Sequence, residues 1–418
     1  MNRQPAILAL VLAVVPAWGL RAEEARWFKG NTHTHTWWSD GDSPPETVVA
    51  WYREHGYHFL SLTDHNVLSE GEKWIEPKGA RVKAAVEYEK RFGPDWVVKR
   101  EVDGRTEYRL RTLEEFRSRF EKPGEFLLIQ GEEISDSFEK RPIHINGLNV
   151  VKAIPPQKGG SVTETIQNNL DAISAQARDT GRPMLAHVNH PNFGWAVTVD
   201  DMIPVRGQDF FEVFNGHPSV HNYGDENRPS VERMWDILLT KRLAEFNLPV
   251  VYALVTDDAH TYTDWGTGKA NPGRAWVMVR AQKLEVEDIL QAMRRGDFYV
   301  TTGVELAEVE RAGDRLTVRI KPRDGVSYVT QFIGTRRGYD PKVASRYQDP
   351  RGFLLNRYSE TIGETLAEVS GTSATYQLRG DEIYVRAKVI STAKHPNPFR
   401  EGDVEVAWTQ PLVPQSGK

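Results

Sequence analysis

Two hydrophobic periods alternate along most of this chain. Short apolar runs of strand length start near Trp27, Tyr57, Phe126, Ile143, Pro183, Phe210 and Leu248. Between most of them the spacing changes to that of an amphipathic helix. Val48, Val49, Trp51 and Tyr52 follow the helix-start signal Ser43-Pro44-Pro45-Glu46, with Ser43 expected as the cap. Ile166, Leu170, Ile173 and Ala177 mark a helix over Thr163–Arg178, and Ser230 caps another through Trp235 and Leu238. A further strand over Arg274–Ala281, a helix over Glu285–Arg295 and a strand at Phe298 continue the series. Seven strands separated mostly by helices predict a parallel α/β barrel. From about Glu305 the helical period disappears. Strands are expected at Arg315–Ile320, Val326–Ile333, Ala374–Leu378, Glu382–Ser391 and Val404–Trp408, with a long loop over 334–357. This tail reads as a small β-rich, sandwich-like domain.

One stretch breaks the alternation. Residues 67–125 are rich in Lys, Arg and Glu, with helices around Arg81–Phe92 and Leu113–Phe120 and a hairpin turning at Asp103-Gly104. They read as an insertion over one face, their charges solvated. Residues 1–22 have the layout of a secretory signal peptide: Arg3, the apolar run Ala6–Val15, then Ala17, Gly19 and Ala22 near a cleavage site. The expected organisation is a signal over 1–22, a barrel over 23–303 and a β-rich unit over 304–418. Such a chain would be periplasmic or secreted, with no stable membrane span after cleavage. The formal charge of −5 argues against a nucleic-acid partner, which needs a basic face. The sequence has no cysteine, so a metal site must use nitrogen and oxygen ligands.

Ligand-type residues gather at the strand ends. In Gly30-Asn31-Thr32-His33-Thr34-His35, the two histidines face one side of an extended segment, and Asp40 follows in a Ser-Asp-Gly turn. His65, Glu133, His190, Asp258 and His260 follow other strands, and His144 begins one. In α/β barrels the active site lies where the strands end. These nine residues are too many for one ion. Two or three divalent ions are expected, with Glu133 and Asp258 able to bridge through their two oxygens.

The ordered set resembles the PHP (polymerase and histidinol phosphatase) metallohydrolase superfamily over about residues 27–303. The resemblance lies in His33 to Gly41, in Leu62-Thr63-Asp64-His65-Asn66, in Gly131 to Ser135, in His190-Pro191 and in Asp258-Ala259-His260. It implies a distorted (β/α)7 barrel, zinc, manganese or iron as the metal, and mainly phosphoester hydrolysis. The exported start, the insertion and the tail look most like the CehA/McbA branch, associated with carbamate-ester hydrolysis. Residue by residue, the resemblance implies His33 and His35 on one ion with Glu133 and Asp258. His144 and His190 would complete a second with Glu133, and Asp40, His65 and His260 would hold a third. It favours Glu133 over the adjoining Glu132, and His190 over His187.

Other residues are candidates for supporting roles. His217, after the sixth strand, is the candidate general acid, and His221 and Asn215 lie on the same face as possible substrate contacts. Asp64 and Asp257 precede expected ligands and could orient them, as could His187. Trp37, Trp38, Phe193 and Trp195 offer either an apolar pocket or core. Arg141, Arg206 and Arg274 are candidate anion clamps. His55 and His58 flank Gly56 at the far end of a strand and read as surface. The expected activity is metal-dependent hydrolysis of a small-molecule ester, a phosphoester first and a carbamate or carboxylic ester as the alternative. A catalytically silent exported binding protein is the reading from another class.

Overall fold

The structure is a computed structural model that describes residues 24–414. The expected signal peptide lies outside the described residues. The chain opens with β1 (Arg26–Asn31), α1 (Pro45–Glu54) and β2 (Phe59–Leu62). Pro45 suits the first turn of α1 because it lacks only an N–H that would have no partner there. The cap position is Pro44, with no side-chain cap bond, so Ser43 does not cap the helix. Its hydroxyl donates to Asp42 Oδ1 at 2.8 Å instead.

The charged stretch folds as β3 (Trp74–Ile75), α2 (Ala80–Phe92), β4 (Lys99–Val102), β5 (Arg105–Arg109) and α3 (Leu113–Phe120). β4 and β5 pair across Asp103-Gly104, both at positive φ. A capping box between Thr112 and Glu115 starts α3. Beneath the charges lies a separate apolar cluster, in which Ala84, Ala85 and Tyr88 of α2 pack with Trp37, Trp38 and Tyr108.

β6 (Leu127–Phe138) and β7 (Arg141–Leu148) form an antiparallel hairpin. This corrects the expectation of parallel neighbours. The third run continues well past Gln130, and Glu139 and Lys140, both at positive φ, turn the chain straight back. The alternation then resumes with α4 (Val162–Thr180), β8 (Leu185–Val188), α5 (Val199–Met202), β9 (Phe210–Asn215), α6 (Val231–Ala244) and β10 (Tyr252–Thr256). The Ser161 and Ser230 side chains cap α4 and α6. β11 (Trp276–Ala281), α7 (Val286–Arg294) and β12 (Phe298–Thr301) follow.

The tail is β13 (Leu306–Ala312), β14 (Arg315–Ile320), β15 (Tyr328–Arg336), β16 (Val343–Gln348), β17 (Leu354–Tyr358), β18 (Glu364–Ser370), β19 (Ser373–Gln377), β20 (Glu382–Lys394) and β21 (Val404–Thr409). The loop expected over 334–357 contains the β16–β17 hairpin. Most of its β16 positions are exposed, so no buried apolar face announced it.

One sheet of thirteen strands runs through the chain in the order β10-β9-β8-β7-β6-β2-β1-β11-β12-β21-β20-β15-β18. Neighbours are parallel at β1–β2, β2–β6, β8–β9 and β9–β10. They are antiparallel around β7 and from β11 outward. The fold is therefore mixed α/β, with a parallel-rich half and a β-rich half, and the sheet is not uniformly parallel.

Just past β1 and β10 the chain joins the two ends of the parallel-rich half. Asp258 N donates to His33 O at 3.1 Å and His35 N donates to Ala259 O at 3.0 Å, around a Thr34–Ala259 bridge. A second bridge sets His65 beside Glu133. The tail is tied back by Arg386 of β20, which forms a buried pair with Asp236 of α6. Gln410 exchanges two 2.9 Å hydrogen bonds with the backbone of Ala253 in β10. Among the described residues no helix is long and apolar enough to cross a membrane.

Candidate metal centre

The bridges that join strand ends also deliver the candidate ligands. His33 and His35 lie on the continuation of β1, where an extended segment points alternate side chains to one side. Their Nε2 atoms converge to 3.1 Å. Asp258 follows β10 in the left-handed region, φ 47°, a strained conformation held by the backbone bonds around it. Alternation along β6 turns Glu133 inward and Glu132 outward, where Glu132 Oε1 accepts from Ile154 N at 2.6 Å. Burial pushes the Glu132 carboxyl up to about 7. His144 lies inside β7, which starts at Arg141, and does not begin the strand as expected. It reaches the cluster because β7 turns back against β6 and pairs His144 with Ser135.

Two carboxylates hold the centre of the arrangement. Glu133 Oε2 lies 3.0 Å from His65 Nδ1, 3.2 Å from His35 Nε2 and 3.4 Å from His33 Nε2. Its Oε1 faces His144 Nδ1 at 3.0 Å and His190 Nε2 at 3.3 Å. Asp258 Oδ1 stands 3.1 Å from Nε2 of both His33 and His35. To one side, Asp40 Oδ1 faces His260 Nε2 at 3.2 Å and His65 Nε2 and His35 Nδ1 at 3.6 Å each.

Burial alone would raise these carboxyl groups. The imidazoles win, His33 foremost, and hold Glu133 and Asp258 well below the usual carboxylate range. Burial would likewise lower His33, and Asp258, Glu212 and Glu133 raise it instead. A field that favours positive charge on a fully buried imidazole also favours a bound cation.

The donor set passes a direct test of fit to divalent metal. Glu133 Oε2 and Asp258 Oδ1 are buried and accept no hydrogen bond. A buried carboxylate oxygen without a donor, ringed by imidazole nitrogens, is the unsatisfied side of a cation site. Donor atoms come within 4.8 Å of one another in four overlapping groups: His33-His190-Asp258, His33-His35-Glu133, His65-Glu133-His144 and His35-Asp40-His65-His260. All nine residues singled out in the sequence as ligands lie in these groups. The grouping differs in detail from the one the resemblance implies. His35 also reaches the Asp40 group, and His65 also faces Glu133.

Glu212, the lone acid in the apolar strand Phe210–Asn215, joins the cluster with no motif in the sequence to mark it. It is fully buried and gathers four donors. His33 Nδ1 lies 2.6 Å from Oε1, Thr256 Oγ1 and Asn215 Nδ2 donate at 2.8 Å, and His190 N donates at 2.9 Å. Burial opposes its ionisation, but His33 holds its carboxyl down at about 2. Glu212 therefore fixes the His33 ring and directs Nε2 at the centre. We expect Glu212→Gln to weaken metal binding roughly 10- to 100-fold, measured by calorimetric titration of the metal-free protein with manganese or zinc. An unchanged affinity would remove Glu212 from this role.

No protein-family profile matches the chain, and no curated protein matches it. Solved structures do align with it. One is a two-domain protein from Bacteroides vulgatus containing a predicted PHP-like metal-dependent phosphoesterase, at 15% identity and TM-score 0.38, covering 93% of this chain and 96% of that one. Another is an amidohydrolase from Chromobacterium violaceum, at 14% identity and TM-score 0.25, covering 55% of this chain and 87% of that one. At these values the likeness carries neither fold nor activity across.

The remaining candidates fall into place around the cluster. His217 lies at its rim, its ring centroid 5.2 Å from that of His260 and 6.2 Å from that of Phe193. Its Nδ1 accepts from Ser219 N at 3.2 Å, and burial lowers its pKa to about 4. It is thus a neutral imidazole with its proton on Nε2, suited to donating a hydrogen bond. Asn215 donates to Asp258 Oδ2 at 3.1 Å, so its amide is engaged by a candidate ligand and is not free for a substrate. Asp64 accepts from Thr36 N and Oγ1 at 2.8 Å each, and Asp257 from Gly273, Arg274 and Ala275 N and Tyr52 OH. Both carboxylates thereby hold the loops that carry candidate ligands.

His187 stays outside the metal groups, 3.8 Å from Glu212. Its ring nitrogens form no hydrogen bond, so it orients no ligand that way. Trp37 and Trp38 are core beneath the charged stretch, not pocket walls. Phe193 does border the site, 5.2 Å from His190 between ring centroids, and Trp195 stacks on His221 at 4.2 Å. Arg141 is bound to Asp201 and Ala196 O, and Arg274 to the carbonyls of Gly216, Gly266 and Lys269, so neither is free to clamp an anion. His55 stacks on Trp51, and His58 Nδ1 accepts from Lys29 N, both away from the cluster.

Proposed function

We propose that this chain is a metal-dependent hydrolase of the PHP type that uses two or three divalent ions to cleave a phosphoester. The observation that carries this reading is the pair of unpartnered buried oxygens, Glu133 Oε2 and Asp258 Oδ1, each ringed by imidazoles. The strand order β1-β2-β6-β7-β8-β9-β10, joined end to end by the Thr34–Ala259 bridge, supports the reading of this half as a distorted seven-stranded barrel. His33, His35, Glu133 and Asp258 would hold one ion, with His144 and His190 adding a second beside Glu133. Asp40, His65 and His260 would hold a third, joined by His35. Bound divalent ions supply an acidified water and polarise the scissile bond. The protein holds the ligands in place through Glu212, Asn215 and Asn189, whose Nδ2 donates to Glu133 Oε1 at 2.7 Å. Phe193 and His217 stand together at the rim, where His217 Nε2–H is placed to meet a substrate oxygen.

A second reading, hydrolysis of a carbamate or carboxylic ester, is favoured by the engagement of Arg141 and Arg274. A neutral ester needs no cationic clamp. The expected home of the enzyme is the periplasm or the exterior. The test is metal content by mass spectrometry together with turnover of nitrophenyl phosphate, bis-nitrophenyl phosphate and naphthyl methylcarbamate, with zinc and with manganese. Two or more ions per chain and turnover of one ester class are expected. No turnover of any ester, with a His33→Ala variant identical in metal content to the wild type, would leave the catalytically silent binding protein as the reading.

A further inference from the structure

We propose that the charged stretch 67–125 is a positioning device for Asp40, acting through Arg81 and Lys73; this rests on the reading of Asp40 as a metal ligand. Asp40 is the most exposed of the nine, with 57% of its side chain accessible, and it sits at the apex of a tight loop. That loop is anchored at its ends. Gly41 N and Ser39 N donate to Thr36 O at 3.0 and 3.1 Å, and Asp42 N donates to His260 O at 2.8 Å. A Cβ on Gly41 would stand 2.7 Å from the His35 carbonyl, so only glycine lets the loop close this tightly.

The carbonyls on either side of Asp40 point away from the centre, toward the charged stretch. One guanidinium spans them: Arg81 Nη2 donates to Ser39 O at 2.7 Å and Nε donates to Gly41 O at 3.0 Å. Lys73 Nζ donates to the preceding carbonyl, that of Trp38. Trp38 Nε1 in turn donates to Arg111 O at 3.2 Å, and both Trp37 and Trp38 are buried in the cluster under α2. A planar fork bound to residues 39 and 41 fixes the direction in which residue 40 projects. It also places positive charge behind a loop whose carboxylates would otherwise repel one another. The charges of this stretch that matter are therefore not all solvated. Two of them are committed, through backbone carbonyls, to the geometry of one ligand.

The test compares Arg81→Met and Arg81→Lys with Asp40→Asn in the full chain, by metal content after dialysis against graded manganese and by thermal unfolding without metal. Arg81→Met should weaken the most loosely held ion roughly 10- to 100-fold and leave the tighter ones in place. Arg81→Lys, which keeps the charge but not the fork, should fall between. Arg81→Met combined with Asp40→Asn should lose no more than Asp40→Asn alone. Wild-type stoichiometry and affinity in Arg81→Met, or losses that add in the combined variant, would overturn the proposal. If Arg81→Met does not fold, Lys73→Met carries the same expectation and the same refutation. Less than one ion in the wild-type protein would instead overturn the metal-hydrolase reading itself.

Discussion

Replacing Glu133 with glutamine is expected to abolish tight metal binding and turnover together, with metal affinity falling by about 100-fold or more. Loss of a group that merely orients a ligand costs roughly 10- to 100-fold in affinity, and Glu133 is central to the donor set itself. Its two oxygens face five imidazoles, those of His33, His35, His65, His144 and His190. Glutamine keeps the volume, so packing is not the variable. It removes the negative charge and replaces one acceptor with an N–H donor aimed at imidazole nitrogens. Metal content, ester turnover and near-ultraviolet circular dichroism, taken together, check the expectation. A folded variant that retains the wild-type complement of ions would show that Glu133 is not a ligand.

Asp236→Ala should be the most damaging substitution for stability, at about 3–5 kcal/mol. Asp236 and Arg386 are 4% and 1% exposed, and their two hydrogen bonds measure 2.8 and 2.7 Å. Tyr384 OH adds a third to Asp236 at 2.8 Å, and Arg386 also lies over the Trp235 ring. Removing Asp236 strands the guanidinium in the interior with Glu232, 3.1 Å from its Nη1, as the remaining acid. A double replacement, Asp236→Leu with Arg386→Met, should recover most of the loss because it leaves no buried charge unpaired. Denaturant midpoints of the metal-free proteins read both effects. A shift no larger in the single variant than in the double one would count against the pair.

Much of the site was legible because the chemistry lies where the pattern changes. His65, His190 and Asp258 stand just where an apolar run stops, and His33 and His35 share a side by simple alternation. Glu212 was hidden for the opposite reason: it lies inside an apolar run, and only the fold shows that His33 points at it. The β6–β7 hairpin was hidden because Glu139-Lys140 lacks the glycine or asparagine that usually marks such a turn. β13 and β16 to β18 expose many of their side chains, so their pattern carries little contrast. The grip of Arg81 on residues 39 and 41 uses backbone acceptors, which every residue has, and therefore leaves no trace in the sequence.

The Gln410 contact has a consequence for how the chain can be divided. A primary amide that gives one hydrogen bond to a strand and takes one from it imitates a short piece of neighbouring strand. Here it masks the free border of β10 at Ala253, while β21 covers the outer border of β12. A fragment ending near residue 303 would uncover both borders at once, and bare strand borders recruit other chains. The tail thus serves the parallel-rich half as a built-in guard against self-association.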